Sequence, residues 1–271
     1  PSGGLSSSSS AQPNASLPNT YTVTVTNPIN GCSKSDAVVI TQNIIKPVAN
    51  AGRDSLLTCI VTAIPIGSAP VAGMTYTWNP GGGLSSSTIA NPVTTQPATF
   101  IVTVKDTFNQ CTAKDTVVIT RDITLPTANA GLDDTITCSV PSIVLGTTAV
   151  AGNSYVWSPP LGLNNANIAQ PTASQPNTYT LTVTKNTNGC TTTDAVTILR
   201  DTVKPLANAG RDSLLTCAVL SIPIGTTALP GMNYSWTPSG GLSSSSNAQP
   251  NASQPNTYTV TVTNPINGCS K

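Results

Sequence analysis

An all-β chain of tandem 79-residue sandwich modules is predicted by three observations. The fifteen residues PNTYTVTVTNPINGC occur at 18–32 and again at 255–269, with close variants at 97–111 and 176–190, so the four copies are spaced 79 residues apart. Within the first copy, Tyr21, Val23 and Val25 alternate with Thr20, Thr22, Thr24 and Thr26, a period of two that belongs to a half-buried strand. Between such runs, turn signals rich in Gly, Pro, Asn and Ser recur at intervals of roughly 8–12 residues, the spacing of a sandwich of short strands.

Other landmarks keep the same step. Pro-X-Ala-Asn-Ala-Gly openings begin at Pro47, Pro126 and Pro205, and tryptophans stand at Trp78, Trp157 and Trp236. One cysteine series is Cys59, Cys138 and Cys217, and the other is Cys32, Cys111, Cys190 and Cys269. A fixed period decides the architecture before any single residue does. The chain therefore reads as a partial repeat (1–46, the C-terminal part of a module), complete repeats at 47–125 and 126–204, and a partial repeat (205–271, the N-terminal part). Residues 1–34 and 238–271 differ only at Ser10/Asn247 and Leu17/Gln254, which predicts recent duplication and a window on a longer array.

Within 47–125 the strands follow in order. SLLTC and AIPIG come after the Ala-Asn-Ala-Gly opening, then MTYTW, then a Gly/Ser loop. The closing pair is ATFIVTVKD and AKDTVVITR, joined by a turn that carries Cys111. About seven strands per module are expected, around a core so small that staples or neighbour contacts matter. The junction VVITRDITLPTANAG has no flexible spacer, and Pro126 restricts both itself and Leu125. Stiff junctions predict a rod, with each module on the order of 30–40 Å long.

Composition narrows the function. Only 8% of the 271 residues are charged, Glu and His are absent, and the net charge is +1. An ordinary soluble domain is about 25% charged. Nucleic acid and anionic membranes are not favoured as partners, and no apolar run reaches the ~20 residues of a membrane-spanning helix. The opening PSGGLSSSSS has neither the basic start nor the apolar centre of a signal peptide. Without Ser-His or Cys-His pairs or Glu, an enzyme is not expected.

The segments PVANAGRD, TYTWNP and TYTVTVTNPINGC resemble the tandem immunoglobulin-like, PKD-type repeats of very large secreted bacterial proteins, including adhesins of gliding bacteria. The resemblance covers the whole chain and implies an immunoglobulin-like β-sandwich, export, and service as a stalk, spacer or surface filament. Asn79, Ser158 and Thr237 stand after the tryptophans where that pattern carries an acidic residue, so the acidic turn's role is not transferred.

Seven cysteines without histidine, at spacings of 27 and 52, do not form zinc knuckles; in an exported protein they read as disulfides. In an immunoglobulin-like module the Cys59 and Cys111 turns lie at opposite ends, too far for the ~4.4–6.8 Å between Cα atoms that a disulfide needs. A head-to-tail arrangement brings Cys59 to Cys190 and Cys138 to Cys269, leaving Cys32, Cys111 and Cys217 with partners outside the window. A less regular topology pairs the cysteines within repeats instead, as 59–111, 138–190 and 217–269; both patterns remain open on the sequence.

Trp78, Trp157 and Trp236, with Tyr76, Tyr155 and Tyr234 two residues before them, are read as core aromatics, the competing reading being a sugar-binding ladder. Asp54, Asp133, Asp134 and Asp212 are read as turn caps, since only 126–204 has a paired Asp and calcium takes six to eight oxygens. Gly81–Gly83 form a turn with no helix behind it to cradle phosphate. Asn14, Asn233 and Asn251 open N-glycosylation patterns. No cofactor and no metal are expected. The expected function is structural: an extracellular filament or adhesin stalk stapled by disulfides, its partners being further copies of the repeat along the chain and laterally. The alternatives are a glycan- or cell-binding array and the spacer of a secreted enzyme.

Overall fold

A computed structural model describes residues 3–271; residues 1 and 2 of the first partial repeat lie outside the described residues. The chain divides into two compact units at Asp122/Ile123, a few residues before the sequence boundary at 125/126. The described residues form strands and turns, with no helix long and apolar enough to cross a membrane.

In the first unit, β1 (Asn19–Thr26) and β2 (Ser33–Ile40) form an antiparallel hairpin. The complete repeat follows as β3 (Ser55–Leu57), β4 (Ile64–Pro65), β5 (Met74–Asn79), β6 (Val93–Thr94), β7 (Ala98–Asp106) and β8 (Thr112–Arg121). One sheet has the order β3-β8-β7-β5, with β3 parallel to β8 and the other pairs antiparallel; β4 and β6 pair separately. These are six strands where about seven were expected. The first strand regions are shorter than SLLTC and AIPIG read, and β6 is a two-residue strand in a stretch to which the sequence reading assigns no element. Phe100, Val102 and Val104 of β7 meet Val117 and Ile119 of β8, Trp78 of β5 and Ile64 of β4 in one buried cluster. The alternation of β7 is what produces this, because every second side chain faces the same layer.

The second unit repeats the plan. β9 (Asp134–Thr137), β10 (Ile143–Val144), β11 (Asn153–Ser158), β12 (Thr172–Ala173), β13 (Asn177–Lys185) and β14 (Thr191–Asp201) give the sheet β11-β13-β14-β9 and the pair β10-β12. Its core holds Trp157, Tyr179, Leu181, Val183, Val196 and Ile198. Two layers around a buried tryptophan, antiparallel except where β3 meets β8 and β9 meets β14, make each complete repeat an immunoglobulin-like β-sandwich. The final partial repeat contributes β15 (Ile222–Pro223), β16 (Asn233–Thr237), β17 (Asn251–Ala252) and β18 (Thr259–Thr263) around Trp236, Val260 and Val262.

The same strand sequence is buried or exposed according to what faces it. Tyr179, Leu181 and Val183 are fully buried, whereas Val23 and Val25 at the matching places in β1 are exposed, with only Tyr21 buried. Among the described residues, β1 and β2 have no second layer against that face.

Two carboxylates per repeat tie the first segment to the last strand. Asp115 Oδ2 accepts the Ala51 N–H at 2.8 Å and Asp194 Oδ2 accepts that of Ala130 at 2.7 Å. In the opposite sense, Asp54 Oδ1 accepts from Val118 N–H at 2.8 Å and Asp133 Oδ1 from Thr197 N–H at 2.7 Å.

Gly146 has no room for a side chain. Its φ is +72°, and a Cβ there would fall on the Ala169 carbonyl oxygen and 3.0 Å from Cζ2 of Trp157. Gly146→Ala is expected to cost at least the ~1–3 kcal/mol of a left-handed alanine, read as a lowered denaturant midpoint; an unchanged midpoint would refute the close packing.

Candidate functional site

The chemistry of the chain gathers at the joint between repeats 126–204 and 205–271, both inside the second unit. The turn after β18 is closed by its own backbone: Asn264 N–H donates to Cys269 O at 2.9 Å and Gly268 N–H to Asn264 O at 2.8 Å. Gly268 takes φ +66°, and a Cβ there would lie 2.6 Å from Ser139 Cβ, so glycine lets this turn press against the Cys138 turn of the preceding repeat.

Asn267 sits between the two and is 1% exposed. Its backbone oxygen accepts the N–H groups of Cys138 (3.0 Å) and Ser139 (3.3 Å). Its side-chain Oδ1 accepts from Cys269 N–H at 2.9 Å, while Nδ2 donates to Asp201 Oδ1 at 2.9 Å and Val203 O at 3.0 Å. One buried amide thus holds the end of β14, the linker after it and its own turn. A buried amide with fewer partners would be costly, and here both ends are satisfied.

Beside it Cys138 and Cys269 are joined, with an S–S distance of 2.01 Å, a Cα separation of 5.0 Å and a separation of 131 in sequence. Cys59 and Cys190 are disulfide-bonded as well, and Cys32, Cys111 and Cys217 are free thiols. The within-repeat alternatives 138–190 and 217–269 do not occur, because Cys138 and Cys269 have each other; 59–111 does not occur because Cys111 is a thiol. The reason is geometric, since the two cysteine turns of a module lie at opposite ends of its sheet.

The amide bracket recurs one and two repeats earlier. Asn188 accepts from Cys190 N–H at 3.0 Å and donates to Thr124 O at 2.9 Å. Asn109 accepts from Cys111 N–H at 2.9 Å and donates to Asn43 Oδ1 at 3.1 Å and Ile45 O at 2.9 Å. Sequence reasoning singles out none of these asparagines. The signal that marks them is Asn two residues before each of Cys111, Cys190 and Cys269.

The tryptophans lie in the cores. Trp78, Trp157 and Trp236 are buried, and their indole N–H groups donate to Ile89 O (2.9 Å), Ile168 O (3.0 Å) and Asn247 O (2.8 Å). They offer no aromatic ladder to a sugar. The described residues contain no group of three or more His, Cys, Asp or Glu arranged to hold a metal ion.

Burial raises the Tyr179 phenol above its usual 10.0. Its hydroxyl donates to Leu161 O or Gln175 O, at 3.1 and 3.0 Å. Because the folded state favours the neutral form, this contribution is complete below the ordinary phenol pKa and is lost as pH rises through the higher folded value. Denaturant midpoints are therefore expected to fall more steeply above pH 10 in the native chain than in Tyr179→Phe; parallel curves would refute it.

The chain matches no protein-family model and no curated protein. Among solved structures it is similar to an I-band fragment of titin, at 9% identity and TM-score 0.36 over 80% of this chain and 92% of that one. It is also similar to a mouse clustered protocadherin ectodomain, at 11% identity and TM-score 0.34 over 67% and 76% of the two chains. For a Drosophila N-cadherin fragment the figures are 13% identity and TM-score 0.26 over 93% and 81%.

Proposed function

We propose that this chain is a load-bearing stretch of an extracellular filament or adhesin stalk, a rod of PKD-type sandwiches fastened joint by joint. The observation that carries the reading is the Cys138–Cys269 bridge between successive repeats, set beside the Asn267 bracket. A covalent staple across a joint serves a chain under tension, and disulfides persist in oxidising, exported settings. By the 79-residue periodicity, Cys59 with Cys190 is the same staple one repeat earlier, and Cys32, Cys111 and Cys217 pair with further copies of the repeat. The neutral, hydroxyl-rich surface supplies few repulsive charges, so lateral association of such rods is part of the reading. The chain itself is not an enzyme in this scheme; it inserts into no membrane and binds no nucleic acid, and its partners are other repeats and surface glycan at most.

Electron microscopy of unreduced native material tests this. Continuous filaments with an axial period of one module or a small multiple are expected. Short discrete particles would overturn it.

A further inference from the structure

Seven cysteines occupy only two places in the repeat, so many wrong pairings are chemically equivalent to the right one. Something other than the thiols has to choose. We propose that the buried asparagine of the Asn-Gly-Cys turn, Asn267 in the last joint, is a positioning residue that clasps the incoming linker and thereby selects Cys138 as the disulfide partner of Cys269. The inference deepens the stapled-array reading and rests on it only for the purpose of the staple, not for its geometry.

Three observations support it. First, the side chain reaches both partners of the joint: Oδ1 holds the Cys269 N–H, and Nδ2 holds Asp201, the last residue of β14, and Val203 in the linker after it. Second, the backbone oxygen of the same residue takes the N–H groups of Cys138 and Ser139, so the docked turn sets the Cys138 backbone opposite Cys269. Third, the clasp recurs in the preceding repeats. Asn109 makes the same side-chain contacts, to Asn43 and Ile45 and to Cys111 N–H, and Asn188 holds Thr124 O and Cys190 N–H.

The chemistry is thiol–disulfide exchange with a small-molecule disulfide as oxidant. The thiolate of one cysteine attacks oxidised glutathione and displaces one glutathione thiolate. The thiolate of the other then attacks the protein sulfur of that mixed disulfide and displaces the second. The sum converts two protein thiols and one glutathione disulfide into Cys138–Cys269 and two glutathione thiols. The clasp acts on the second step by raising the effective concentration of one particular thiol.

The test is refolding of the reduced 271-residue chain in a glutathione redox buffer, with disulfides mapped by non-reducing digestion and mass spectrometry. The native chain is expected to return Cys138–Cys269 as the dominant bond of Cys269. Asn267→Ala is expected to lower the ratio of that bond to mispaired Cys269 by roughly tenfold, the effect of losing hydrogen bonds worth about one decade together. Amide exchange of β13 and β14 reports whether the core has folded in the variant. Cys138→Ala with Cys269→Ala is expected to keep the Ser139 amide protected. Correct pairing undiminished in Asn267→Ala, or loss of Ser139 protection without the cysteines, would each overturn the proposal. All are read on single chains, so filaments absent from native material would sink the stalk reading and leave this result standing.

Discussion

Trp157→Ala is expected to unfold the complete repeat at 126–204 or leave it close to unfolding. Trp157 is 1% exposed and is one of the largest fully buried side chains, packed with Leu145, Tyr179 and Leu181. Removing an indole from such a site loses its transfer free energy and leaves a cavity that strands cannot close, a cost of about 3–5 kcal/mol. The indole N–H also covers the Ile168 carbonyl at 3.0 Å, and that acceptor loses its partner in the variant. A module of this size has a stability of only ~4–12 kcal/mol at ~0.05–0.15 kcal/mol per residue, so one substitution removes a large share. Far-ultraviolet circular dichroism against denaturant is the measurement. A loss below about 1 kcal/mol would mean that the core repacks around the gap and that the tryptophan is not its centre.

That core was legible in the sequence because its information is local. In β7 the run ATFIVTVKD alternates without interruption, and its bounds, Ala98–Asp106, coincide with the run as read. The tryptophans were assigned to the core for the same reason, since Tyr155 and Trp157 share a strand face. What escaped depends on contacts between distant residues. β6 is Val93–Thr94, two residues among Pro, Thr and Gln, and it is a strand only because Ile64 and Pro65 pair with it. Asp194 reads as an ordinary exposed position of an alternating strand. Its role appears once β14 lies beside the opening segment and puts the Ala130 N–H, 64 residues away, within reach of its carboxylate.

The joint shows the same division more sharply. Cysteine positions and their period are plain in the sequence, yet their partners are not, because spacing alone admits pairing within a repeat as readily as between repeats. What decides is that Cys138 lies just past β9 and Cys269 in the turn after β18, at facing ends of successive modules. Asn267 was hidden in an Asn-Gly-Cys turn, where asparagine is expected for local reasons. Nothing in a single repeat reveals that its amide reaches Asp201 and Val203 of the previous one.

Under force, the Cys138–Cys269 bridge is expected to hide most of the second unit from the load. The bond spans 131 residues of sequence, so a pull applied at Ile123 and Lys271 passes from Cys138 through sulfur to Cys269, and the residues between them stay slack whether folded or not. At ~3.3–3.6 Å per extended residue, the bypassed length is about 430–470 Å. A single-molecule extension with handles at those two positions should therefore lengthen by about that amount when a reductant is added or when Cys138→Ala and Cys269→Ala are introduced together. The same double substitution is expected to lower equilibrium stability by up to about 5 kcal/mol in the chain-entropy model, because a loop this long is expensive to close in the unfolded chain. The two readings separate the roles of the bond. Equal extension with and without reductant would show that the bridge does not carry the load, and the stalk reading would lose its main support. A large change in extension with little change in denaturant midpoint would place the bond's value in tension and not in folding. That outcome fits a joint which the asparagine clasp already holds in place before the sulfurs meet.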